Sequence, residues 1–323
     1  MRRSVPVLLW LRAAAIPALL AAAAVLATAP ASAMPASDVQ LRPTLTRVAG
    51  MTFAWASIGS GPPLVLLNGT ASPMSEWDPA LLGALAVQRR VIVFDYPGLG
   101  QSGPAPDSWT FDHAADWIND WLRVIEPAAP VDVLGWSMGG FIAQRLAVQH
   151  PERIRRLVLA ATNPGGDATV LGPRWAQDAD SSGSLAGYLS TNYPPSGRAA
   201  GKRFLTRLES ALSSGRYPDV EVPAKTRRAM VRAEDPWLRS DTNLAELGTV
   251  TLPTLVITGR TDVITPVANS RVLARAIPGA RLVLRAGADT RFSSSDPFGR
   301  PRRSAASSPA RSQHQLTSEV TTA

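Results

Sequence analysis

The chain has 323 residues, enough for one large α/β domain or two modest ones, and it contains no cysteine. Disulfides, thiolate metal sites, cysteine nucleophiles and a lipidated cysteine are therefore excluded. The net charge of +8 sits mainly in the ends: residues 1–33 hold three arginines and no acid, and residues 300–323 carry +3, which leaves +2 between them. No basic face studded with aromatics remains, so nucleic acid is not an expected partner.

Met1-Arg2-Arg3 leads into an apolar run from Ala13 to Leu26 and then to Ala31-Ser32-Ala33. A positive flank, an apolar stretch and small residues before a cut predict an export signal over residues 1–33. The mature protein is then expected to begin near Met34, to be secreted or periplasmic, and to keep no stable membrane anchor. Residues 34–44 read as an N-terminal arm. Met51 to Ile58 alternates like a half-buried strand and is turned by Gly59-Ser60-Gly61-Pro62-Pro63.

Leu64–Leu67 and Val91–Phe94 are short apolar runs, as buried strands are, with a helix around Trp77, Leu81, Leu82 and Leu85 between them. Phe111 to Ile125 has helical periodicity, with Trp117, Trp121, Leu122 and Ile125 on its apolar face. Ile154 to Ala160 and Thr254 to Gly259 predict further strands, and Ala268 to Ala276 a helix before a last strand, Arg281 to Arg285. Apolar strands alternating with helices indicate a parallel sheet covered on both faces. Gly98-x-Gly100-x-x-Gly103 matches a dinucleotide fingerprint. Pro104 and Pro106 follow where the phosphate-binding helix must open, so these glycines are expected instead to shape a turn bracing the nucleophile turn described next.

The stretch Val131 to Trp136, then Ser137-Met138-Gly139-Gly140 and Phe141 to Ala147, reads as strand, tight turn and helix around Gly-x-Ser-x-Gly. Glycines at 135 and 139 leave room for neighbouring backbone, and the helix N-terminus offers free N–H groups. The plainer reading is a turn serine that caps a helix. The strand before it and the helix after it favour Ser137 as a nucleophile, with the Met138 N–H placed to hold an oxyanion.

From Asn163 to Gly248 strands vanish and helical patterns appear around Leu185–Leu189, Lys202–Leu212 and Ala224–Arg232. Trp175, Tyr188, Tyr193, Phe204, Tyr217 and Trp237 are scattered through them. This predicts a helical cap over an apolar pocket at 163–248, inserted between two core segments, 34–162 and 249–298. Residues 299–323 read as a disordered, low-complexity tail.

Asn68-Gly69-Thr70, Asp95-x-x-Gly98-x-Gly100-x-Ser102, Gly135-Trp136-Ser137-Met138-Gly139-Gly140, His150-Pro151-Glu152-Arg153 and Gly259-x-x-Asp262-x-Ile264-x-Pro266 occur in that order. Together they resemble the serine-hydrolase branch of the α/β-hydrolase superfamily over about Arg47 to Phe298. The resemblance implies a mostly parallel eight-stranded sheet with a helical cap, and no cofactor or metal. It implies attack by Ser137, an oxyanion held by the Met138 and Thr70 N–H groups, and Asp262 orienting a histidine. Asn68 stands where a histidine often precedes the oxyanion glycine, with little expected consequence.

The catalytic histidine itself is missing from its usual place. The loop after the last strand reads Ala286-Gly287-Ala288-Asp289-Thr290-Arg291-Phe292, with Ala288 or Thr290 where histidine is expected. His113 and His150 read as structural. His314 has the right chain order but lies in the tail, and Asp289 or a substrate group are the other candidate bases. Two functions follow: a hydrolase of an ester or related small-molecule acyl substrate, impaired by the absent histidine, or a non-catalytic relative binding a small apolar ligand.

Overall fold

The computed structural model describes residues 33–106, 109–181, 184–193 and 195–285. All but the last residue of the expected signal, the loop at 286–292, and the expected tail lie outside the described residues.

Eight strands form one sheet in the order β1-β2-β4-β3-β5-β6-β7-β8. They are β1 (Thr44–Val48), β2 (Met51–Ile58), β3 (Pro63–Leu67), β4 (Arg90–Phe94), β5 (Val131–Trp136), β6 (Ile154–Ala160), β7 (Thr254–Gly259) and β8 (Arg281–Arg285). The β1–β2 and β2–β4 pairs are antiparallel, and every other pair is parallel. Successive side chains of a strand point to opposite faces, and here both faces are apolar. Leu64, Leu66, Leu134 and Trp136 enter one core; Val65, Leu67, Val131 and Val133 enter the other.

Nine helices lie among the described residues: α1 (Pro79–Ala86), α2 (Phe111–Ile125), α3 (Met138–Gln149), α4 (Arg174–Ser181), α5 (Leu185–Asn192), α6 (Arg198–Ser213), α7 (Ala224–Arg239), α8 (Thr242–Glu246) and α9 (Val267–Ala276). Helix α2 begins where Thr110 Oγ1 accepts from His113 N at 3.1 Å. It buries Phe111, Ala114, Ala115, Ile118, Trp121 and Leu122, one face at helical spacing. Trp121 stacks on Phe53 with ring centroids 5.5 Å apart, which fixes α2 against β2.

The segment between β6 and β7 is helical, as its composition indicates, and α6 and α7 tie it to the sheet. Arg207 on α6 makes two hydrogen bonds, of 2.9 and 2.6 Å, to Asp78, which also caps α1 through Ala80 N. Tyr188, Tyr193, Phe204 and Tyr217 are buried in the core shared with α1. Trp175 is instead 55% exposed. Asp132, a buried acid on β5, is paired with Arg89 and Arg155 at the opposite end of its strand from Ser137. Among the described residues no helix is long and apolar enough to cross a membrane.

Candidate active site

Ser137 sits between the last residue of β5 and the first of α3, with φ 53° and ψ −124°. A non-glycine residue rarely adopts this backbone, which costs on the order of 1–3 kcal/mol and persists only where surroundings impose it. The surroundings are specific. Ser137 N donates to Ala160 O at 3.1 Å, and Ser137 O accepts from Gly140 N and Thr162 Oγ1, both at 2.8 Å.

The flanking glycines are needed for close approach, as expected. A Cβ on Gly135 would lie 2.4 Å from Gly139 O, and one on Gly139 would lie 2.1 Å from Leu67 O. The start of α3 is therefore pressed against the end of β3, which brings the orphan N–H groups of its first turn, Met138 among them, to the loop that follows β3.

That loop is Asn68-Gly69-Thr70-Ala71. A Cβ on Gly69 would meet the Trp136 ring at 2.6 Å, and Ala71 has φ 54°. Asn68 Nδ2 donates to Ser72 O at 2.9 Å, and Asn68 O accepts from Tyr96 Oη at 3.1 Å, so Asn68 holds the turn. Asp95 braces it from below: Oδ1 accepts from Met74 N at 2.7 Å and Oδ2 from Gln101 N at 3.3 Å. Burial pushes the Asp95 carboxyl up to about 6, against the lowering effect of those two N–H groups.

The glycines at 98, 100 and 103 serve this brace. A Cβ on Gly100 would fall 1.9 Å from Asp95 Oδ2, and Ser102 Oγ donates to Asp95 O at 2.6 Å while accepting from Ala54 N at 2.8 Å. Their turn supports Asp95, and through Met74 and Tyr96 the loop after β3. Its described contacts thus run to the loop after β3 rather than to the turn at Ser137.

Asp262 follows β7 and is buried. Oδ1 accepts from Ile264 N at 2.9 Å and Thr265 N at 2.8 Å; Oδ2 accepts from Thr265 Oγ1 at 2.9 Å and Thr258 Oγ1 at 3.2 Å. A carboxylate has about four acceptor sites, and the residue's own loop together with Thr258 of β7 fills them. Desolvation still dominates and raises its pKa to about 6.

Parallel pairing places Thr70, Ser137, Met138 and Asp262 at one sheet edge, the carboxyl ends of β3, β5 and β7. Thr70 and Ser137 follow neighbouring strands. Asp262 stands two strands from Ser137, roughly 10 Å of sheet at ~4.8 Å per strand, so a further group must span the gap in any proton relay.

His150 is not that group. It caps the far end of α3, whose twelve residues span roughly 18 Å at 1.5 Å each, and its Nε2 lies 2.8 Å from Asp116 Oδ1. His113 is exposed in the first turn of α2. Ala288, Asp289, Thr290 and His314 lie outside the described residues. Among the described residues no group of side chains could hold a metal ion.

Glu234, on α7, is a participant that sequence reading passed over. Its Oε1 accepts from Thr70 Oγ1 at 2.7 Å, and burial raises its pKa while that bond lowers it. One turn earlier Met230 Sδ accepts from Ala71 N at 3.4 Å, and one turn later Trp237 stacks on Phe141 with centroids 5.0 Å apart. The signal was available in the spacing: Thr226, Met230, Ala233 and Trp237 define a buried stripe, and Glu234 lies along it.

A family profile described as alpha/beta hydrolase fold matches residues 62–289. The chain is 32% identical over 238 residues to a pimeloyl-[acyl-carrier protein] methyl ester esterase of Nitrosomonas europaea, covering 70% of this chain and 87% of the relative. A protein of the same description from Chromobacterium violaceum is 30% identical, with 70% and 86% covered. Among solved structures, an alpha/beta hydrolase fold protein from Chitinophaga pinensis superposes with a TM-score of 0.66 at 22% identity, covering 80% of this chain and 93% of that one. A hydrolase from Pseudomonas aeruginosa PA01 superposes with a TM-score of 0.58 at 28% identity, covering 76% and 90%.

Proposed function

The chain belongs to the alpha/beta hydrolase family, and we propose that it hydrolyses a carboxylic ester of a small acyl group with Ser137 as the nucleophile. The observation that carries this reading is the strained turn at Ser137, φ 53°, held between β5 and the N-terminus of α3 with the loop after β3 pressed against it. The relatives described as methyl ester esterases support the ester as substrate class.

Ser137 Oγ forms a bond to the carbonyl carbon and gives up its proton. The carbonyl oxygen becomes an oxyanion, which the Met138 and Thr70 N–H groups stabilise. Collapse expels the alcohol, which takes up a proton, and water then releases the acid from the serine ester. Asp262 orients whatever group carries the proton. In this reading residues 163–248 act as the cap and residues 1–33 as a removed export signal, with N-terminal sequencing of exported protein expected to start at Met34.

The loop at 286–292, directly after β8, carries no histidine, so turnover is expected to be slow. Loss of the base from a serine triad lowers kcat on the order of 10⁶-fold, while the oxyanion hole and binding retain some 10³–10⁴ over water. Release of p-nitrophenol from a short-chain ester tests the reading: Ser137→Ala abolishes it, and unchanged release in that variant assigns the chemistry elsewhere. A second reading, a non-catalytic protein binding a small apolar ligand, draws its support from the filled acceptor sites of Asp262. It requires that no ester be cleaved even slowly.

A further inference from the structure

Helix α7 reaches the loops at the sheet edge with one face. Thr226 Oγ1 donates to Gly98 O at 2.9 Å, Met230 Sδ accepts from Ala71 N, Glu234 Oε1 accepts from Thr70 Oγ1, and Trp237 Nε1 donates to Asn163 Oδ1 at 2.8 Å. A hydroxyl, a thioether and an indole suffice to dock the helix. Glu234 alone brings a carboxylate; it is half-buried, so only part of it has left water. An ionised carboxylate offers about four acceptor sites, yet the described residues give Glu234 one donor, the Thr70 hydroxyl. Oε2 accepts nothing from them.

The position of that oxygen is informative. Thr70 carries one of the two N–H groups assigned above to the oxyanion. Covalent dimensions keep a threonine Oγ1 within about 4 Å of its own nitrogen, so Glu234 Oε1 is within about 7 Å of the Thr70 N–H. Substituents a few atoms from a carbonyl bound there come within reach of Oε2.

We propose that Glu234 is a specificity-determining residue, whose free oxygen accepts from a cationic or N–H- or O–H-bearing group of the acyl substrate and which disfavours substrates carrying a carboxylate there. The inference rests on the ester-hydrolase reading and names the substrate class of that same site. At about 7 Å and an effective dielectric near 20, one unit charge facing another changes binding by roughly tenfold to a hundredfold, favourably for a cation and unfavourably for an anion.

Three p-nitrophenyl esters of equal acyl length, ending in a methyl, a carboxylate or a quaternary ammonium group, test this on the full chain. Each charged ester is expected to differ from the methyl ester in kcat/KM by roughly tenfold to a hundredfold, in opposite directions, so the ammonium ester exceeds the carboxylate ester by roughly a hundredfold or more. Glu234→Gln, which keeps an acceptor for Thr70, brings the two within about threefold of each other, as expected once the charge term is gone. Equal rates for the two charged esters in the native chain, or a preference that survives Glu234→Gln, overturns the proposal.

If no ester is turned over, the esterase reading fails while the inference is still decided. Binding of methyl ketones with the same three ends, followed by tryptophan fluorescence, must then show the same order. No order, or no binding, overturns the inference. Should circular dichroism show Glu234→Gln unfolded, Glu234→Met, close in volume, carries the same comparison.

Discussion

Replacing Asp262 by asparagine separates the energetics of the site from its chemistry. An asparagine in the same pose turns its oxygen to Ile264 N and Thr265 N, and its NH₂ to the Thr258 and Thr265 hydroxyls, which can accept as well as donate. No hydrogen bond is lost, but the charge is. In the folded chain the Asp262 carboxyl titrates near 6 instead of its ordinary 3.8. Below about pH 4 it is protonated in both the folded and the unfolded chain and costs nothing.

Between about pH 4 and pH 6 the unfolded chain releases the proton while the folded chain keeps it, so stability falls as pH rises. Above that window the full difference, about two pKa units or about 3 kcal/mol, opposes folding. Urea denaturation from about pH 3.5 to pH 8 should show native and Asp262→Asn proteins converging in acid, with the variant gaining about 3 kcal/mol over the native chain by pH 7. Asp95 has a similar shift but is present in both proteins, so it cancels. A stability difference that does not change with pH refutes the reasoning.

Ser137→Gly removes the strain of φ 53°, offset in part by glycine's greater unfolded-state entropy, and should raise stability by about 1 kcal/mol while ending turnover; thermal denaturation measures the first. Gly139→Ala drives a methyl group to 2.1 Å from Leu67 O, which must displace the start of α3 from the end of β3; a loss of about 2–3 kcal/mol in urea denaturation is expected, with turnover lost too. Thr290→His, or Ala288→His, should raise kcat by orders of magnitude if the missing base is what limits the native chain, whereas ordinary enzyme rates abolished by His314→Ala would identify the tail histidine as the base.

The sheet was legible because its inner strands are short apolar runs with both faces covered, and the boundaries of β5 and β6 follow from where those runs end. Strand β1, read as part of an arm and its continuation, was not legible. Thr44-Leu45-Thr46-Arg47-Val48 is an edge strand mostly open to water, so it carries no apolar period. Helix α4 was missed for a related reason: Arg-Trp-Ala-Gln-Asp-Ala-Asp-Ser is polar, and Trp175 is exposed.

Helix α7 was expected only around Ala224–Arg232, and Pro236 further on removes a helical bond to the preceding turn. It continues to Arg239 because Trp237 is anchored by Asn163 and stacked on Phe141, and tertiary packing outweighs the local defect. In the site, the backbone devices at Gly135, Gly139 and Gly69 could be read from the motifs. The partners of Asp262 all lie within four residues of it, whereas the contact between Thr70 and Glu234, residues 164 positions apart, depends on tertiary geometry that no local pattern records.

Mass spectrometry of the chain after brief incubation with p-nitrophenyl acetate tests the central claim most directly. If the proposed absence of a base holds, slow deacylation leaves the acyl group on the nucleophile long enough to be detected. The account predicts a single acetyl adduct on the peptide that contains Ser137, absent from Ser137→Ala. An adduct on another residue, or p-nitrophenol released at an unchanged rate by Ser137→Ala, contradicts it.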